Sequence, residues 1–327
     1  MTVGTERFSE AGEQLRLMVV ASRLYHVHGF RQKQIGERLN VSQARVSRLL
    51  QRAEASGLVR TVLAVPEGLF PEVEEAVEER YGLSEVHVLA VDAERESLPR
   101  ALGRSAARYL SAVALQGEVV GFTSWSTTLQ EMAFAMEPTP RPVAGHVVEM
   151  LGDLGSPTSQ HAAARATQAM ARALGAAPVF LRTPGVLGTP ELRDASLADP
   201  YVRRALGLLD SVDVAFVGLG PPAVHSMLSA GDSYFTPEQL TEVRRSGAVG
   251  QVNQRFIDEQ GNPVATPLDD LVVGSTLDQI RSAGRRIAVA GGAEKWPAIA
   301  AALRGGWVDV LITDVETAHH LVAGDAP

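Results

Sequence analysis

The sequence has no cysteine, only two lysines and no long apolar run. Without cysteine the chain can form no disulfide, thiolate nucleophile, cysteine-ligated zinc site or iron–sulfur cluster. No apolar run approaches the ~20 residues of a membrane-spanning helix, and no apolar segment follows a basic start at the N-terminus. We therefore expect a cytoplasmic protein without a secretion signal. We also expect no metal or cofactor, because the paired histidines His26/His28 and His319/His320 lack spaced carboxylate partners.

Positive charge is concentrated at the start of the chain. Residues 1–65 carry ten Arg or Lys against five Glu, a net charge of +5, whereas residues 66–327 carry 20 basic against 33 acidic groups, a net charge of −13. A small basic head on a large acidic body indicates that the head binds a polyanion. We therefore predict a DNA-binding domain at 1–65 and an effector-binding and oligomerisation domain at 66–327.

The spacing of apolar residues in the head predicts helices over Gly12–His28 and Gln32–Leu39, and a third helix that follows an N-capping Ser42. Two helices joined by a short turn, the second with a polar and basic front end, are typical of a helix-turn-helix. Arg can bind guanine and Gln can bind adenine with paired hydrogen bonds. The candidate DNA-binding residues are Gln32, Lys33, Ser42, Gln43, Ala44, Arg45, Ser47, Arg48 and Arg52. A three-helix bundle with solvated arginines is the alternative.

The segment Leu58–Val65 alternates enough to form a strand or short wing, from which Arg60 could contact a phosphate. Beyond it, short apolar runs alternate with longer amphipathic stretches, which predicts a largely parallel α/β sheet with helices on both faces, a Rossmann-like architecture. The predicted strands are Val86–Val91, Glu118–Phe122, His146–Leu151, Pro178–Leu181, Asp213–Gly218, Arg286–Ala290 and Val308–Thr313. The predicted helices are Pro71–Tyr81, Glu94–Ala114, Ser126–Met136, Ser159–Leu174, Thr236–Ser246, Thr276–Ala283, Ala293–Leu303 and Asp314–Leu321.

Four loops of the body carry glycine or polar residues where ligands of such sheets bind. They are Gly121–Thr128, Asp213–Pro222, Gly247–Gln251 and Ala290–Ile299. The first offers hydroxyl and backbone N–H donors to an anion at a helix N-terminus, although Ser and Thr also simply cap helices. The Gly-x-Gly of the second loop and the glycines of the third also fit ordinary turns.

Lys295 is the only lysine of a body that otherwise uses arginine for positive charge. Next to paired glycines, it indicates a need that Arg does not meet, either a compact ammonium for a phosphate or a titratable amine. A Schiff base between Lys295 and a carbonyl sugar is a minor hypothesis. A solvated lysine at a helix end is the structural alternative.

These segments resemble the SorC-type sugar-binding transcriptional regulators (SorC/DeoR). The resemblance rests on Leu24–Leu39, Val41–Leu50, Ala53–Val59, Gly121–Thr128, Asp213–Gly220, Gly247–Gly250, Arg255–Gly261 and Gly291–Asp314. It implies a helix-turn-helix head followed by an effector domain related to sugar-phosphate isomerases. The implied protein is a DNA-binding regulator, of a carbohydrate or polyol operon, whose operator binding is controlled by a phosphorylated sugar or related metabolite.

Carried over by the resemblance, the effector-binding residues are Gly121, Thr123, Ser124, Trp125, Ser126, Thr127, Gly218, Gly220, Gly250, Gln251, Gly292 and Lys295. Two positions depart from the family pattern. Gln251 stands where many relatives have Asp, so an amide replaces a carboxylate that could bond a sugar hydroxyl. Ser126 stands where relatives often have Gly, which narrows the space near the phosphate.

The alternative from another class is a sugar-phosphate isomerase or deaminase, which needs an acid and a base on the sugar. Enzymes of the deaminase type carry an Asp-Gly-His-x-Ala-Phe-Asn-Glu run after the central Gly-x-Gly. Here His225 remains, but the paired acid and Glu do not, so we expect no enzyme. The expected partners are double-stranded operator DNA, a sugar-type effector and a second copy of the chain, in a homodimer or homotetramer, because one head contacts only a half-site.

Overall fold

The computed structural model describes residues 10–59, 66, 68–112, 118–139, 144–224, 228 and 234–324. The chain divides into two compact units, Met1–Val65 and Pro66–Pro327. They are called the head and the body below.

The head is a small helical unit. Its elements are α1 (Glu10–Ser22), one π-helical turn (Arg23–Val27), α2 (Gln32–Leu39) and α3 (Gln43–Ala55). The first predicted helix is therefore two pieces. The fully or nearly buried side chains include Met18, Ala21, Leu24, Ile35, Val46, Leu49, Leu50 and Ala53. Residues 60–65 lie outside the described residues, and with them Arg60 and most of the predicted wing.

The turn between α2 and α3 depends on two small residues. Asn40 adopts a left-handed conformation with φ of 52°, which Asn tolerates better than most non-glycine residues. A Cβ at Gly36 would lie 2.7 Å from the carbonyl oxygen of Val41, so only glycine allows the turn to approach α2 this closely. Gly36 within α2 and Asn40 after it therefore allow the tight turn that the helix-turn-helix needs.

The strands of the body form two sheets. The strands are β1 (Glu85–Leu89), β2 (Glu118–Phe122), β3 (Ala144–Glu149), β4 (Ala177–Val179), β5 (Val214–Val217), β6 (Leu219–Gly220), β7 (Gly250–Val252), β8 (Arg255–Ile257), β9 (Arg285–Val289) and β10 (Val310–Asp314). Seven form a parallel sheet in the order β1-β10-β9-β5-β2-β3-β4. The predicted parallel α/β fold is confirmed. The small antiparallel sheet β6-β7-β8 was not predicted.

Helices cover both faces of the parallel sheet. The helices of the body are α4 (Pro71–Tyr81), α5 (Leu98–Ala112), α6 (Thr127–Ala135), α7 (Pro157–Leu174), α8 (Pro190–Ala198), α9 (Pro200–Gly207), α10 (Pro237–Arg245), α11 (Leu277–Ser282), α12 (Trp296–Arg304) and α13 (Val315–Ala323). Central strand β5 shows the two faces. Val214 and Phe216 pack with residues of α5, α6 and α7, whereas Ala215 and Val217 pack with residues of α4, α11, α12 and α13. Because both faces are covered, the strand is apolar throughout.

Two predictions of helices need correction. The predicted helix Glu94–Ala114 begins only at Leu98, because the residues before it form a turn closed by Asp92. Helices α8 and α9 were not predicted. Helix α8 buries no side chain, so its sequence has no apolar stripe to detect. Their starts were visible in the sequence as Thr189-Pro190 and Asp199-Pro200, an N-cap followed by proline at the first helical position.

Side chains and a proline protect the two outer strands of the parallel sheet. The backbone N–H groups of Val86 and Val88 in β1 donate to the carboxylates of Glu78 (2.7 Å) and Glu74 (2.8 Å) of α4. At the opposite edge, the three-residue strand β4 contains Pro178, which has no N–H to offer. Neither edge is therefore an open template for pairing with another strand.

Candidate functional site

The basic surface of the head lies on α3. Ser42 caps this helix, with its Oγ accepting from the N–H of Arg45 at 3.3 Å. Val46, Leu49, Leu50 and Ala53 face the core, as the sequence predicts. The predicted DNA-binding residues lie outside this buried face. Lys33, Ser42, Gln43, Ala44, Arg45, Arg48 and Arg52 are exposed, and Gln32 and Ser47 are half-buried.

Three arginines of α3 share one side of the helix. Arg45, Arg48 and Arg52 are spaced by three and four residues, and together with Gln14 of α1 they line an open groove. None of the three makes an ion pair within the described part of the chain. The side of α3 that the core leaves free is therefore cationic, which suits a phosphate backbone and the guanine edge.

The body has its own candidate site where the order of the parallel strands reverses. Strands β3 and β4 continue the sheet on one side of β2, whereas β5, β9 and β10 lie on its other side. The loops that leave β2, β5 and β9 begin at neighbouring carboxyl ends, and β6 to β8 follow directly after β5. In open α/β sheets the crevice at such a reversal binds ligands.

A narrow cleft of about 40 Å³ lies at this reversal. Its lining residues are Thr123, Trp125, Ser126, Gly218, Leu219, Gly220, Gln251, Asn253, Gln254 and Lys295. The structure thus brings together seven of the predicted effector-binding residues from all four predicted loops.

Asn253 joins the small sheet to the ends of two parallel strands. Its Oδ1 accepts from Thr123 Oγ1 and from the N–H of Gly218, both at 2.8 Å, while its Nδ2 donates to Ser275 Oγ at 3.3 Å. It sits in the turn between β7 and β8 with φ of 48°. A Cβ at Gly218 would lie 3.0 Å from Thr123 Cγ2, so glycine keeps the β2 and β5 loops close.

Gln251 belongs to a second polar group in the wall of the cleft. Its Nε2 donates to the carbonyl of Pro221 at 3.0 Å and to Tyr234 OH at 3.4 Å. Tyr234 OH in turn donates to Gln254 Oε1 at 2.7 Å. Burial raises the pKa of Tyr234, which therefore keeps its proton at neutral pH and remains a donor.

Lys295 brings a positive charge to the cleft. It lies at the N-terminal end of α12, and its ammonium has no hydrogen-bond or ion-pair partner among the described residues. Burial lowers the pKa of Lys295, and the neighbouring Glu294 carboxylate opposes this effect. Desolvation makes an unpaired cation costly, and an anion bound beside it would relieve that cost.

Five predicted effector-binding residues do not line the cleft. Gly121 lies inside β2, where a Cβ would meet Met150 Sδ at 2.8 Å, and Gly250 lets β7 approach Ala298 of α12. Gly292, with φ of 93°, donates its N–H to Asp314 Oδ2 at 3.0 Å. The two others are Ser124, whose carbonyl accepts from Gln130 Nε2, and Thr127, the first residue of α6. These five residues therefore lie where they support the loops of the cleft without lining it.

Sequence reasoning missed three polar residues of this site: Tyr234, Asn253 and Gln254. Asn253 and Gln254 are the two turn residues of a hairpin in which both have positive φ. The Asn at the first position was a signal for such a turn, but Gln at the second is not a usual turn residue. Tyr234 lies outside the four glycine-containing loops, between the second and the third, and no local pattern marks it.

Comparisons with known proteins agree with this two-part organisation. Residues 69–323 match the family model described as "Putative sugar-binding domain", and residues 20–67 match that of the MarR family. The deoxyribonucleoside regulator of Bacillus subtilis is 31% identical over 312 residues, which cover 95% of this chain and 98% of the relative. The sorbitol operon regulator of Klebsiella pneumoniae is 26% identical over 319 residues, covering 96% of this chain and 99% of the relative.

A solved structure shows the same fold over the full length. The crystal structure of the full-length sorbitol operon regulator SorC from Klebsiella pneumoniae superposes with a TM-score of 0.71 at 25% identity, covering 95% of this chain and 99% of that one. In the described part of this chain, no helix has the length and apolar character to span a membrane. With a helix-turn-helix head and a matched sugar-binding body, the chain belongs to the SorC-type family of sugar-binding transcriptional regulators.

Proposed function

We propose that the cleft binds a phosphorylated sugar or polyol, and that its occupancy controls how the head binds operator DNA. The observation that carries this proposal is the half-buried Lys295 at the strand-order reversal, whose ammonium has no partner among the described residues. The names of two relatives, a sorbitol operon regulator and a deoxyribonucleoside regulator, fit the same class of ligand.

The lining of the cleft suits the two ends of such a ligand. Lys295, the hydroxyl of Ser126 and the N-terminus of α6, which Ser126 caps, offer positive charge and donors to a phosphate. The amides of Gln251 and Gln254 offer polar partners for hydroxyl groups. The five predicted residues outside the cleft act by holding its loops.

The cleft serves binding and not catalysis in this proposal. An isomerase or deaminase requires a base and an acid beside the sugar carbon atoms. Among the described residues that line the cleft there is no Asp, Glu or His. His225, the residue that the enzyme alternative retains, lies outside the described residues. The curated relatives quoted above are also named as regulators.

Control of DNA binding follows from a shift between two arrangements of a homodimer or homotetramer in the cytoplasm. One head contacts a half-site, so two heads at fixed spacing are needed for specific binding. The walls of the cleft come from the loops of β2 and β5, the small sheet and the start of α12, and in this proposal a sugar phosphate that contacts them shifts their relative positions. A tenfold change in DNA affinity requires the effector to prefer one arrangement by about 1.4 kcal/mol.

A thermal-shift screen of the purified chain tests this proposal. The panel contains phosphorylated sugars and polyols, their unphosphorylated parents and inorganic phosphate. A ligand well above its dissociation constant raises the melting temperature, and we expect phosphorylated compounds to do so. The same compound should change retardation of operator DNA without being consumed. Consumption of the compound would favour an enzyme, and a panel without any response would contradict the proposed ligand class.

A further inference from the structure

The loop that carries Lys295 is tied to the N-terminal end of α13. Trp296, the residue after Lys295, donates its indole N–H to Thr317 Oγ1 at 3.0 Å. The N–H of Gly292 donates to the same hydroxyl at 3.1 Å and to Asp314 Oδ2 at 3.0 Å. Thr317 Oγ1 in turn donates to Asp314 Oδ2 at 2.7 Å, and both side chains are buried. One hydroxyl of α13 therefore holds the loop on both sides of Lys295.

Trp296 makes a second contact with the same helix. Its ring stacks on the imidazole of His320, with the ring centroids 4.0 Å apart and the planes 13° from parallel. Thr317 and His320 are three residues apart, so they lie on one side of α13. The indole thus contacts one turn of this helix with its N–H on Thr317 and its face on His320. A displacement of the Lys295 loop therefore acts on α13 at two points.

The other end of α13 is fixed to α4. Arg80 donates from Nη1 to the carbonyl of Val322 at 2.9 Å and from Nη2 to the carbonyl of Gly324. Tyr81 OH donates to the carbonyl of Leu321 at 3.3 Å. Carbonyls at the end of a helix have no partner within it, and a guanidinium there also suits the helix dipole. Since apolar side chains of both helices belong to one buried cluster, α4 and α13 form one packed unit.

Helix α4 is the first element of the body. The head ends at Val65 and α4 begins at Pro71, so only residues 66–70 connect the two. Phe70, the last residue of this connection, packs against the same buried cluster as α13. The position of α4 therefore sets the point at which the chain from the head enters the body.

We propose that α13 transmits effector binding from the cleft to the connection with the head, through Trp296 at one end and Arg80 at the other. This inference rests on the proposed function and adds a route within one subunit. An anion that attracts Lys295 displaces its loop, α13 moves with the indole of Trp296, and Arg80 carries the movement to α4. Small sliding movements of packed helices of this kind are common in conformational switches. Trp296, His320 and Arg80 are thus positioning residues that do not contact the effector.

The test measures a coupling factor, the ratio of operator affinities with and without a saturating ester. The esters are the sugar or polyol phosphates that raise the melting temperature of the wild-type chain. His320→Ala removes the ring on which Trp296 stacks, and it should fold normally because His320 is exposed. His319→Ala is its control, since His319 is exposed on the same turn and stacks on no ring among the described residues.

A second pair of variants tests the other end of α13. Arg80→Met removes the hydrogen bonds to the last carbonyls of α13 and keeps an unbranched side chain. Arg281→Met is the control, because Arg281 likewise donates to a carbonyl at the end of a helix, that of Gly305 after α12. Both arginines also lie over an aromatic ring, so the two substitutions remove similar contacts.

We expect His320→Ala and Arg80→Met each to reduce the coupling factor about twofold or more, as substitutions along a coupled network do. Affinity for the ester without DNA should stay that of the wild type, and both control variants should couple as the wild type does. The double variant His320→Ala/Arg80→Met should lose no more coupling than the more affected single variant, because two breaks in one route are not additive.

Wild-type coupling in both His320→Ala and Arg80→Met would overturn the inference and leave the proposed function in place. A lowered melting temperature with unchanged coupling would do the same, because the contacts would then only stabilise the fold. Additive losses in the double variant would also overturn it, since the two contacts would act on separate routes. Failure of every ester to bind the wild type, or to change its operator affinity, would overturn the proposed function as well.

Discussion

At the scale of single residues, the cleft is marked by groups that the fold leaves unpaired. Burial lowers the pKa of Lys295 from the ~10.4 of a free lysine, because the desolvated ammonium is disfavoured. Anion binding requires the charged form. Affinity for a phosphate ester should therefore fall as the pH rises through the lowered pKa, by up to tenfold per pH unit above it.

Lys295→Arg separates this titration from other effects of pH, since a guanidinium stays charged over the whole range. Calorimetry of the tightest-binding ester between pH 7 and 10 should show a falling affinity for the wild type and a flat profile for the variant, even if the variant binds more weakly overall. Parallel profiles would show that the lysine charge does not hold the anion.

The residues of this cleft also show how far sequence alone could go. Lys295 stood out because the body has no other lysine, and Thr123 to Ser126 stood out because hydroxyls follow an apolar strand. Asn253 and Gln254 act through their backbone conformation and through hydrogen bonds to other parts of the chain. One of these partners, Thr123, donates to Asn253 from more than a hundred residues away in the sequence. Such roles depend on three-dimensional proximity, which no local pattern of a single sequence contains.

At the scale of elements, two helices of the body pack through a glycine. A Cβ at Gly103 of α5 would lie 2.6 Å from the backbone nitrogen of Met132 of α6. Gly103→Ala should therefore destabilise the body by about 1–3 kcal/mol, as overpacked sites do. Gly207→Ala is the control, because nothing lies within 4 Å of a Cβ at that helical position, and should be neutral or stabilising by up to ~1 kcal/mol.

Urea unfolding followed by tryptophan fluorescence measures both variants, since Trp125, Trp296 and Trp307 all lie in the body. A Gly103→Ala protein as stable as Gly207→Ala would mean that α5 and α6 can separate at no cost.

The seven parallel strands were predictable because apolar runs bounded by turns leave little choice of structure. The antiparallel strands β6 to β8, of two or three residues each, are too short for any periodicity to reveal.

At the scale of the whole molecule, charge separates the two tasks. The head has a net charge of +5 and the rest of the chain a net charge of −13. The exposed arginines of α3 are thus the groups suited to DNA, while the acidic body discourages DNA from contacting the effector cleft. In the proposed mechanism, the effector couples the two units by favouring one arrangement of the subunits.

This division predicts opposite phenotypes for two single substitutions. Arg45→Ala should weaken operator binding by about 1–3 kcal/mol if Arg45 contacts a base, or lower the affinity for all sequences and the salt dependence if it contacts a phosphate. Its effector affinity without DNA should be that of the wild type. Lys295→Ala should bind DNA as the wild type does but no longer respond to the ester found in the screen.

Linkage supplies the quantitative check on the intact chain. If the ester changes operator affinity by some factor, saturating operator DNA must change the affinity for the ester by the same factor. Retardation assays at fixed ester concentration and calorimetry with and without DNA measure the two factors independently, and Lys295→Ala should reduce the first to one. Loss of DNA binding in Lys295→Ala would contradict the division of labour, because the cleft would then be part of the DNA-binding machinery itself.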